Sequence, residues 1–259
     1  MVSQETGPVD PVPYLPSPRA TVDEMLRLAG VGPGDIVYDL GSGDGRIVIA
    51  AAKKFGARGV GIEIDARLVE QSRANAARAG VADRVRFVQQ DLFNATLGEA
   101  TVITLYLALN VNLKLRPALL RLKPGTRIVA HGSDFGDWKP DRKTSIRKDV
   151  LLWIVPAQLS GRWRAAIGAA TRERRFEFEF SQRYQEVFAY AWEDGVPVTV
   201  WEVRLESDRL SFVVIDAPDT ADEASLYFEG KASGSLIEGT VSRGAGSSRS
   251  VQAWRAEKK

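Results

Sequence analysis

The stretch "VYDLGSGDGRI", Val37–Ile47, decides the fold of this chain. An apolar run leads into Asp39, and Gly41, Gly43 and Gly45 follow before a run with helical periodicity. A strand that passes through a glycine-rich turn into a helix is typical of nucleotide-binding α/β sheets, because glycine lets the backbone approach a ligand closely. We therefore expect a nucleotide-like ligand at this turn.

The spacing of the turn argues against a dinucleotide. In the dinucleotide fingerprint Gly-x-Gly-x-x-Gly the third glycine permits close helix packing and the helix N-terminus faces a pyrophosphate, but Arg46 occupies that position here. Asp39 stands two residues before the first glycine, where a carboxylate can brace the turn or hold a cationic amine but would repel a pyrophosphate. The pattern predicts a ligand with a positive charge and disfavours a nicotinamide cofactor.

Outward from this stretch, roughly the first 155 residues alternate short β-branched runs with amphipathic runs of helix length. This alternation predicts an α/β fold, a Rossmann-like doubly wound sheet with crossover helices. The runs "TSIRKD" and "VLLWIVPA" are expected to close the same sheet. We predict an N-terminal arm over residues 1–20 and the α/β domain over residues 21–158.

From about Ser160 onward the hydrophobic period changes to two, which predicts a small all-β domain, a barrel or a sandwich, over residues 159–259. The pair Asp194-Gly195 predicts a tight hairpin. Phe176, Phe178 and Phe180 alternate with glutamates and are interpreted as the buried face of one strand.

Composition limits the classes of function. The 259 residues are 44% hydrophobic and 26% charged, with a formal net charge of +2 and no cysteine. The near balance of charge disfavours a nucleic-acid partner, and the absence of cysteine excludes disulfides and thiolate metal sites. We expect no bound metal, no membrane span and a cytoplasmic location, while the oligomeric state is not predicted.

Two further carboxylates follow predicted strands. Glu63 ends the strand in "GIEID", where a doubly wound fold places an acid against ribose hydroxyls, and Asp91 follows the next strand in "VQQDLF", positioned for an adenine amine. The three strand ends would thus offer a turn that accepts a cation, a carboxylate for the ribose and a carboxylate for the adenine. A ligand that matches all three is an adenosine with an amino-acid tail. The predicted cofactor is S-adenosylmethionine.

The motifs "YDLGSGDGR", "GIEID" and "QDLF" resemble those of Rossmann-like S-adenosylmethionine-dependent methyltransferases. More narrowly, "VPYLPSP", "LYL" and "NLKLRPALLRLKPGTRIVAH" resemble the mitochondrial protein-lysine methyltransferases of the ATP synthase c-subunit and the adenine nucleotide translocase and, more loosely, the non-SET histone lysine methyltransferases. The resemblance covers roughly residues 13–141. Together with the motifs it implies these cofactor-binding residues: Asp39, Gly41, Ser42, Gly43, Gly45, Glu63, Ile64, Asp91 and Leu92.

The resemblance also implies an acceptor channel, for which Tyr14, Tyr106 and Asn110 are the candidates. Methyl transfer from a sulfonium is an in-line displacement, so the enzyme mainly aligns donor and acceptor and excludes water. A protein-lysine side chain is the preferred acceptor, and a protein substrate the expected partner. His131, the only histidine, is interpreted as a packed or capping residue.

Two other functions remain open from the sequence. The all-β half could form the acceptor pocket of a small-molecule methyltransferase, since a closed small barrel can hold one ligand. Alternatively, the chain could be a non-catalytic binding module that senses S-adenosylmethionine. We also expect the chain to differ from the mitochondrial enzymes by lacking their membrane-anchoring segment and by adding the all-β half.

Overall fold

A computed structural model of the chain describes residues 15–168, 173–215, 225–243 and 250–259. The chain divides into two compact units. The first contains the described residues up to Asn112 with Ile128–Asp134 and Arg142–Leu152, and the second contains Leu113–Arg127, Phe135–Asp141 and the described part of Trp153–Lys259. The boundary expected between residues 158 and 159 remains a prediction.

Seven strands form the α/β sheet. They are β1 (Ile36–Leu40), β2 (Arg58–Glu63), β3 (Val85–Gln89), β4 (Val102–Leu105), β5 (Arg127–His131), β6 (Arg142–Ile146) and β7 (Lys148–Ile154). Their order is β3-β2-β1-β4-β5-β7-β6, with β6 and β7 antiparallel at one edge. Strand β1 pairs in parallel with β2 on one side and with β4 on the other. The chain order of the strands therefore reverses at β1, and ligands of doubly wound sheets bind at the carboxyl end of such a strand.

In the described ranges, four α-helices belong to this part of the chain. They are α1 (Arg19–Leu28), α2 (Arg46–Phe55), α3 (Ala66–Ala79) and α4 (Leu109–Leu119). Helix α2 buries Ile47, Val48, Ala51 and Ala52, which recur on one helical face, and ends at Gly56 in the left-handed conformation. Within the described residues, no helix combines the length and the apolar character needed to cross a bilayer.

The remaining eight strands form a closed antiparallel barrel, which decides between the barrel and the sandwich left open by the sequence. They are β8 (Gly161–Ile167), β9 (Arg174–Arg183), β10 (Glu186–Glu193), β11 (Val196–Glu206), β12 (Arg209–Ile215), β13 (Ser225–Ser233), β14 (Leu236–Arg243) and β15 (Ser250–Lys258). The predicted hairpin joins β10 to β11, with Asp194 at φ 47° and Gly195 at φ 84°, as a type I′ turn requires. The predicted fold class is confirmed.

Aromatic rings fill the interior of the barrel. Phe176, Phe178 and Phe180 are buried there, as the alternation predicted. Phe212 and Phe228 stack with ring centroids 4.8 Å apart, and Phe178 meets both rings edge to face. A barrel packed in this way has its volume occupied by its own side chains, so its stability comes from burial of apolar surface.

Candidate cofactor and acceptor site

The glycine loop follows β1 at the point where the strand order reverses. Gly41, Gly43 and Gly45 have φ values of 79°, 55° and 78°, a region that side chains with a Cβ atom rarely adopt. A Cβ atom on Gly45 would also lie 2.6 Å from the ring of Phe87. The glycines are therefore required by the backbone conformation, and at Gly45 also by close packing.

The backbone N–H groups of this loop bond within the protein. Those of Gly41 and Ser42 donate to the carbonyl of Ile62, that of Gly43 donates to Glu63, and that of Gly45 donates to the carbonyl of Ser42. A pyrophosphate site presents such groups to the ligand instead. The loop geometry thus supports the prediction that this is not a dinucleotide site.

Asp39 lies at the carboxyl end of β1 and is only 2% exposed. Its carboxylate accepts a hydrogen bond of 2.7 Å from the hydroxyl of Thr104 on β4, the residue paired with it across the sheet. Burial, opposed by that hydrogen bond and reinforced by the charges of Glu63 and Asp44, raises the pKa of Asp39 to about 7. A buried carboxyl in this state is suited to receive a cationic group, which would favour its charged form.

Glu63 stands at the end of β2 and braces the glycine loop. One carboxylate oxygen accepts the N–H of Gly43 at 2.8 Å, and the other accepts the N–H groups of Ile64 and Asp65 at 2.8 and 3.0 Å. A carboxylate offers about four acceptor positions, so three backbone bonds leave capacity for one more donor. Glu63 can therefore hold the loop and still accept a ligand hydroxyl.

Ser42 provides an independent observation on the fit of a ligand. Its hydroxyl is buried within the loop and has no hydrogen-bond partner among the described residues. A buried polar group without a partner is costly, and such groups are few in native proteins. The unpartnered hydroxyl and the buried carboxyl of Asp39 fit a ligand that carries both polar and cationic groups, such as the amino-acid tail of S-adenosylmethionine.

The residues predicted for the adenosine are more exposed. Asp91 precedes a single 3₁₀ turn, Leu92–Asn94, and accepts the N–H of Phe93 at 2.9 Å through one oxygen. The side chain of Ile64 is 68% exposed, and Leu92 is half-buried. The structure places these residues directly after β2 and β3, and their role toward adenine stays a prediction.

Tyr106 follows β4 directly and belongs to a compact group of polar side chains. Its ring stacks on that of His131, with centroids 4.2 Å apart, and its hydroxyl accepts a 3.3 Å bond from the amine of Lys148. Burial, then the charge of Lys148, lowers the pKa of His131, so the imidazole is neutral at neutral pH. The packed histidine predicted from the sequence thus lies against a predicted acceptor residue.

Of the other two acceptor candidates, the structure describes Asn110 alone and does not bring it to this group. Asn110 is exposed in the first turn of α4, where its side chain accepts the N–H of Val111. Tyr14 lies outside the described residues. Asn112, two residues further on, is buried, and its side-chain amide nitrogen donates to the carbonyls of Ser133 and Asp134, although its side-chain oxygen Oδ1 has no partner in the described part of the chain. Both Tyr14 and Asn110 remain predictions.

Sequence reasoning missed a set of residues that support the site. Arg46 forms two hydrogen bonds, of 2.9 and 2.7 Å, with Asp44, and it also donates to the carbonyl of Ser17 at 2.9 Å. The carbonyl of Asp44 in turn accepts the side-chain amide of Asn75. Thr104 offered a signal, because it is a lone hydroxyl in the apolar strand "VITL"; the contact between Ser17 and Arg46 had none, because the two residues are distant in sequence.

Comparison with known proteins agrees with this geometry. Residues 39–142 match the family model described as the ANTKMT methyltransferase domain. A protein-lysine N-methyltransferase of Saccharolobus islandicus is 46% identical over 151 residues, which are 56% of this chain and 94% of that protein. The mouse lysine N-methyltransferase of the ATP synthase c-subunit is 37% identical over 54% of this chain and 56% of its own length. The chain therefore spans about half the length of this animal relative.

A solved structure gives a further comparison. An RNA methyltransferase of Salinibacter ruber, in complex with S-adenosylhomocysteine, is 56% identical to this chain with a TM-score of 0.55, over 56% of this chain and 96% of that one. Fold, loop and comparisons together define a Rossmann-like methyltransferase whose cofactor is S-adenosylmethionine. Within that class, the chain belongs to the protein-lysine N-methyltransferase family.

Proposed function

We propose that this enzyme transfers the methyl group of S-adenosylmethionine to a lysine side chain of a protein. The observation that carries the proposal is the 46% identity that extends over 94% of the archaeal protein-lysine N-methyltransferase.

In this proposal the cofactor tail lies in the glycine loop. The buried carboxylate of Asp39 holds the cationic amine, and the free hydroxyl of Ser42 bonds to the tail. Gly41, Gly43 and Gly45 let the loop approach closely. Glu63 accepts a ribose hydroxyl with its remaining lone pair, and Asp91, Ile64 and Leu92 surround the adenine.

S-adenosylmethionine supplies an electrophilic methyl group bonded to a sulfonium. The carbon–sulfur bond breaks as the nitrogen–carbon bond forms, the bonding pair stays on sulfur, and the surplus proton leaves the amine for solvent. A lysine amine has a reference pKa near ~10.4, so it must lose its proton before it attacks, which an apolar channel favours. In this proposal Tyr106 orients the incoming amine, and the roles of Tyr14 and Asn110 stay predictions.

A second candidate acceptor is RNA, favoured by one observation: the Salinibacter ruber structure at 56% identity is described as an RNA methyltransferase. Against it, 35 basic and 33 acidic residues leave a net charge of +2. Proteins that bind nucleic acid without strong sequence preference depend on a large positive field. We therefore favour the protein acceptor.

A small-molecule acceptor bound inside the barrel is disfavoured by the packing of that interior. Buried aromatic rings, among them Phe178, Phe212 and Phe228, occupy the space that a ligand would need. A recess of about 610 Å³ at the end of the barrel is lined by charged and polar groups such as Arg174 and Glu193. These two side chains pair with each other, as expected of a polar barrel mouth.

The deciding experiment uses the purified protein with methyl-labelled S-adenosylmethionine and a cell lysate as the source of acceptors. The labelled lysate is divided and treated with proteinase, with ribonuclease or with neither, and the protein fraction is hydrolysed for amino-acid analysis. We expect the label to resist ribonuclease, to be released by proteinase and to be recovered as methyl-lysine.

Control reactions with Asp39→Ala should lose the label, because the cofactor is no longer held. Ser181→Ala serves as the matched control, since it removes an exposed hydroxyl on the barrel strand β9. Label that ribonuclease removes would establish the RNA acceptor instead. Label confined to small molecules would favour the third acceptor class, and cofactor binding without any transfer would indicate a binding module.

A further inference from the structure

His131 and Ser17 form a buried polar contact beside the acceptor residue Tyr106. The hydroxyl of Ser17 lies 3.1 Å from Nδ1 of His131, and each residue is 3% exposed. A neutral imidazole makes this bond in either tautomer, because a hydroxyl can both donate and accept. A side chain with this bond and a stacked neighbour has little freedom to turn.

The same serine is held a second time through its backbone. The backbone carbonyl of Ser17 accepts a hydrogen bond of 2.9 Å from a guanidinium nitrogen of Arg46. Two hydrogen bonds to the carboxylate of Asp44 hold this guanidinium in place. Arg46 is the first residue of α2 and follows the glycine loop immediately. Ser17 is flanked by Pro16 and Pro18, which restrict the backbone on both sides of it.

These contacts form one continuous path. It runs from the glycine loop through Arg46 to Ser17, from Ser17 to His131, and from His131 to the ring of Tyr106. Each step is a hydrogen bond or a ring contact within the first compact unit. No part of the path depends on the exposed side chain of Lys148, which contacts the hydroxyl of Tyr106 separately.

We propose that His131 is a positioning residue for methyl transfer: its ring fixes the orientation of Tyr106 for the acceptor amine, and Ser17, clamped by Arg46, fixes that ring. The proposal rests on the proposed function, because it requires Tyr106 to face an alkylamine. His131 acts through Tyr106 and does not exchange a proton with the amine.

Two substitutions separate the two contacts of the histidine. His131→Phe keeps an aromatic ring against Tyr106 and loses the bond to Ser17. His131→Asn keeps a polar atom close to the position of Nδ1 and loses the ring. Ser17→Ala removes the hydroxyl alone, and Ser181→Ala is the control for loss of a serine hydroxyl on the barrel.

The measurement is calorimetric binding of three probes that do not require a known substrate protein. One is S-adenosylhomocysteine. The second is an adenosine–amino-acid analogue with nitrogen in place of sulfur and a 2-aminoethyl chain in place of the transferred methyl group, which puts its amine close to the position of the acceptor nitrogen. The third carries a propyl chain of similar size without the amine. The ratio of the dissociation constants of the second and third probes reports recognition of the amine.

We expect the wild-type protein and Ser181→Ala to bind the amine probe at least tenfold more tightly than the propyl probe. His131→Asn should reduce this preference to below twofold, because the ring is lost. His131→Phe and Ser17→Ala each lose the bond between residues 17 and 131 and keep a ring against Tyr106, so both should give intermediate values. Binding of S-adenosylhomocysteine should change less than twofold in all variants, which a merely structural role would not allow.

Other outcomes overturn the proposal in distinguishable ways. No amine preference in the wild-type protein would remove the lysine acceptor site itself, and the positioning role would fall with it. A wild-type preference that survives in His131→Asn would refute the positioning role alone. A parallel loss of S-adenosylhomocysteine binding would assign His131 to the fold or the cofactor site instead.

Discussion

The sheet and the barrel are built on opposite principles. At the carboxyl edge of the sheet, polar groups such as Asp39, Glu63 and Ser42 are buried, and the hydroxyl of Ser42 lacks a partner within the ranges that the structure describes. In the barrel, the buried positions are almost entirely apolar and the aromatic rings contact one another. A buried polar group without a hydrogen-bond partner lowers the stability of the fold. Such a group is therefore expected at a site where a bound ligand supplies the partner.

The largest effect should come from the barrel. Phe178 contacts several other rings and is fully buried, so Phe178→Ala should lower the free energy of unfolding by about 3–5 kcal/mol through lost burial and a cavity. Chemical denaturation monitored by tryptophan fluorescence would measure this. The exposed Phe188→Ala is the control, expected within about 0.5 kcal/mol of wild type. If Phe178→Ala lowered the free energy of unfolding no more than Phe188→Ala does, the barrel interior would not be tightly packed.

The next effect concerns the loop. Gly45→Ala places a Cβ atom 2.6 Å from the ring of Phe87 at a residue with φ 78°. We expect a loss of roughly 1–3 kcal/mol in stability, from the strained backbone and the displaced ring. Gly80→Ala is the matched control, since it has φ 71° and open space around its Cβ position. Thermal unfolding of the two variants separates backbone strain from the clash, and equal losses would refute the contribution of Phe87.

A pH effect should distinguish Asp39 from an ordinary carboxylate. Its pKa of about 7 in the folded protein exceeds the reference value of 3.8, so its charged form destabilises the cofactor-free fold increasingly as the pH rises from about 4 through 7. A cation bound beside Asp39 would favour the charged carboxylate over the protonated one. Binding of the cofactor below pH 7 therefore releases a proton from Asp39. We expect S-adenosylmethionine affinity to fall roughly fivefold between pH 7 and pH 6.

Calorimetry in buffers of different ionisation enthalpy measures the released proton directly. Asp39→Asn should bind more weakly, release no proton and show a flat pH profile over this range. An unchanged pH dependence in Asp39→Asn would assign the titration to another group and separate Asp39 from the amine.

The smallest expected effect is at Ser42. Because its buried hydroxyl has no partner among the residues that the structure describes, Ser42→Ala should leave the stability of the cofactor-free protein unchanged or raise it by about 1 kcal/mol. The same variant should weaken S-adenosylmethionine binding by several-fold, since a ligand bond is lost. Differential scanning calorimetry with and without cofactor tests both. A stability loss without cofactor would show that the hydroxyl already has a structural role.

Much of this architecture was predictable because local patterns report it. Hydrophobic periods of 3.6 and two residues predicted the helices and the strands. The spacing of the glycines, together with Asp39, favoured a ligand with a positive charge over one with a pyrophosphate. The pair Asp194-Gly195 specified its hairpin because both positions require positive φ. Such signals are local, since each arises from residues close together in the chain.

The supporting contacts were not predictable for the opposite reason. Ser17 and His131 are 114 residues apart, and Asp39 and Thr104 are 65 apart. Only the pairing of β1 with β4 and the placement of Ser17 beside Arg46 bring such groups together. The closure of the barrel likewise depends on β8 meeting β15, the last strand.

The amino-acid sequence by itself determined the class of fold, the class of cofactor and the residues at the strand ends, because periodicity and motif spacing are properties of neighbouring residues. The tertiary structure alone decided that the all-β half closes into a filled barrel, that Asp39 is buried enough to raise its pKa, and that His131 lies against Tyr106. Burial and long-range contacts depend on the whole packed chain, and no local pattern encodes them.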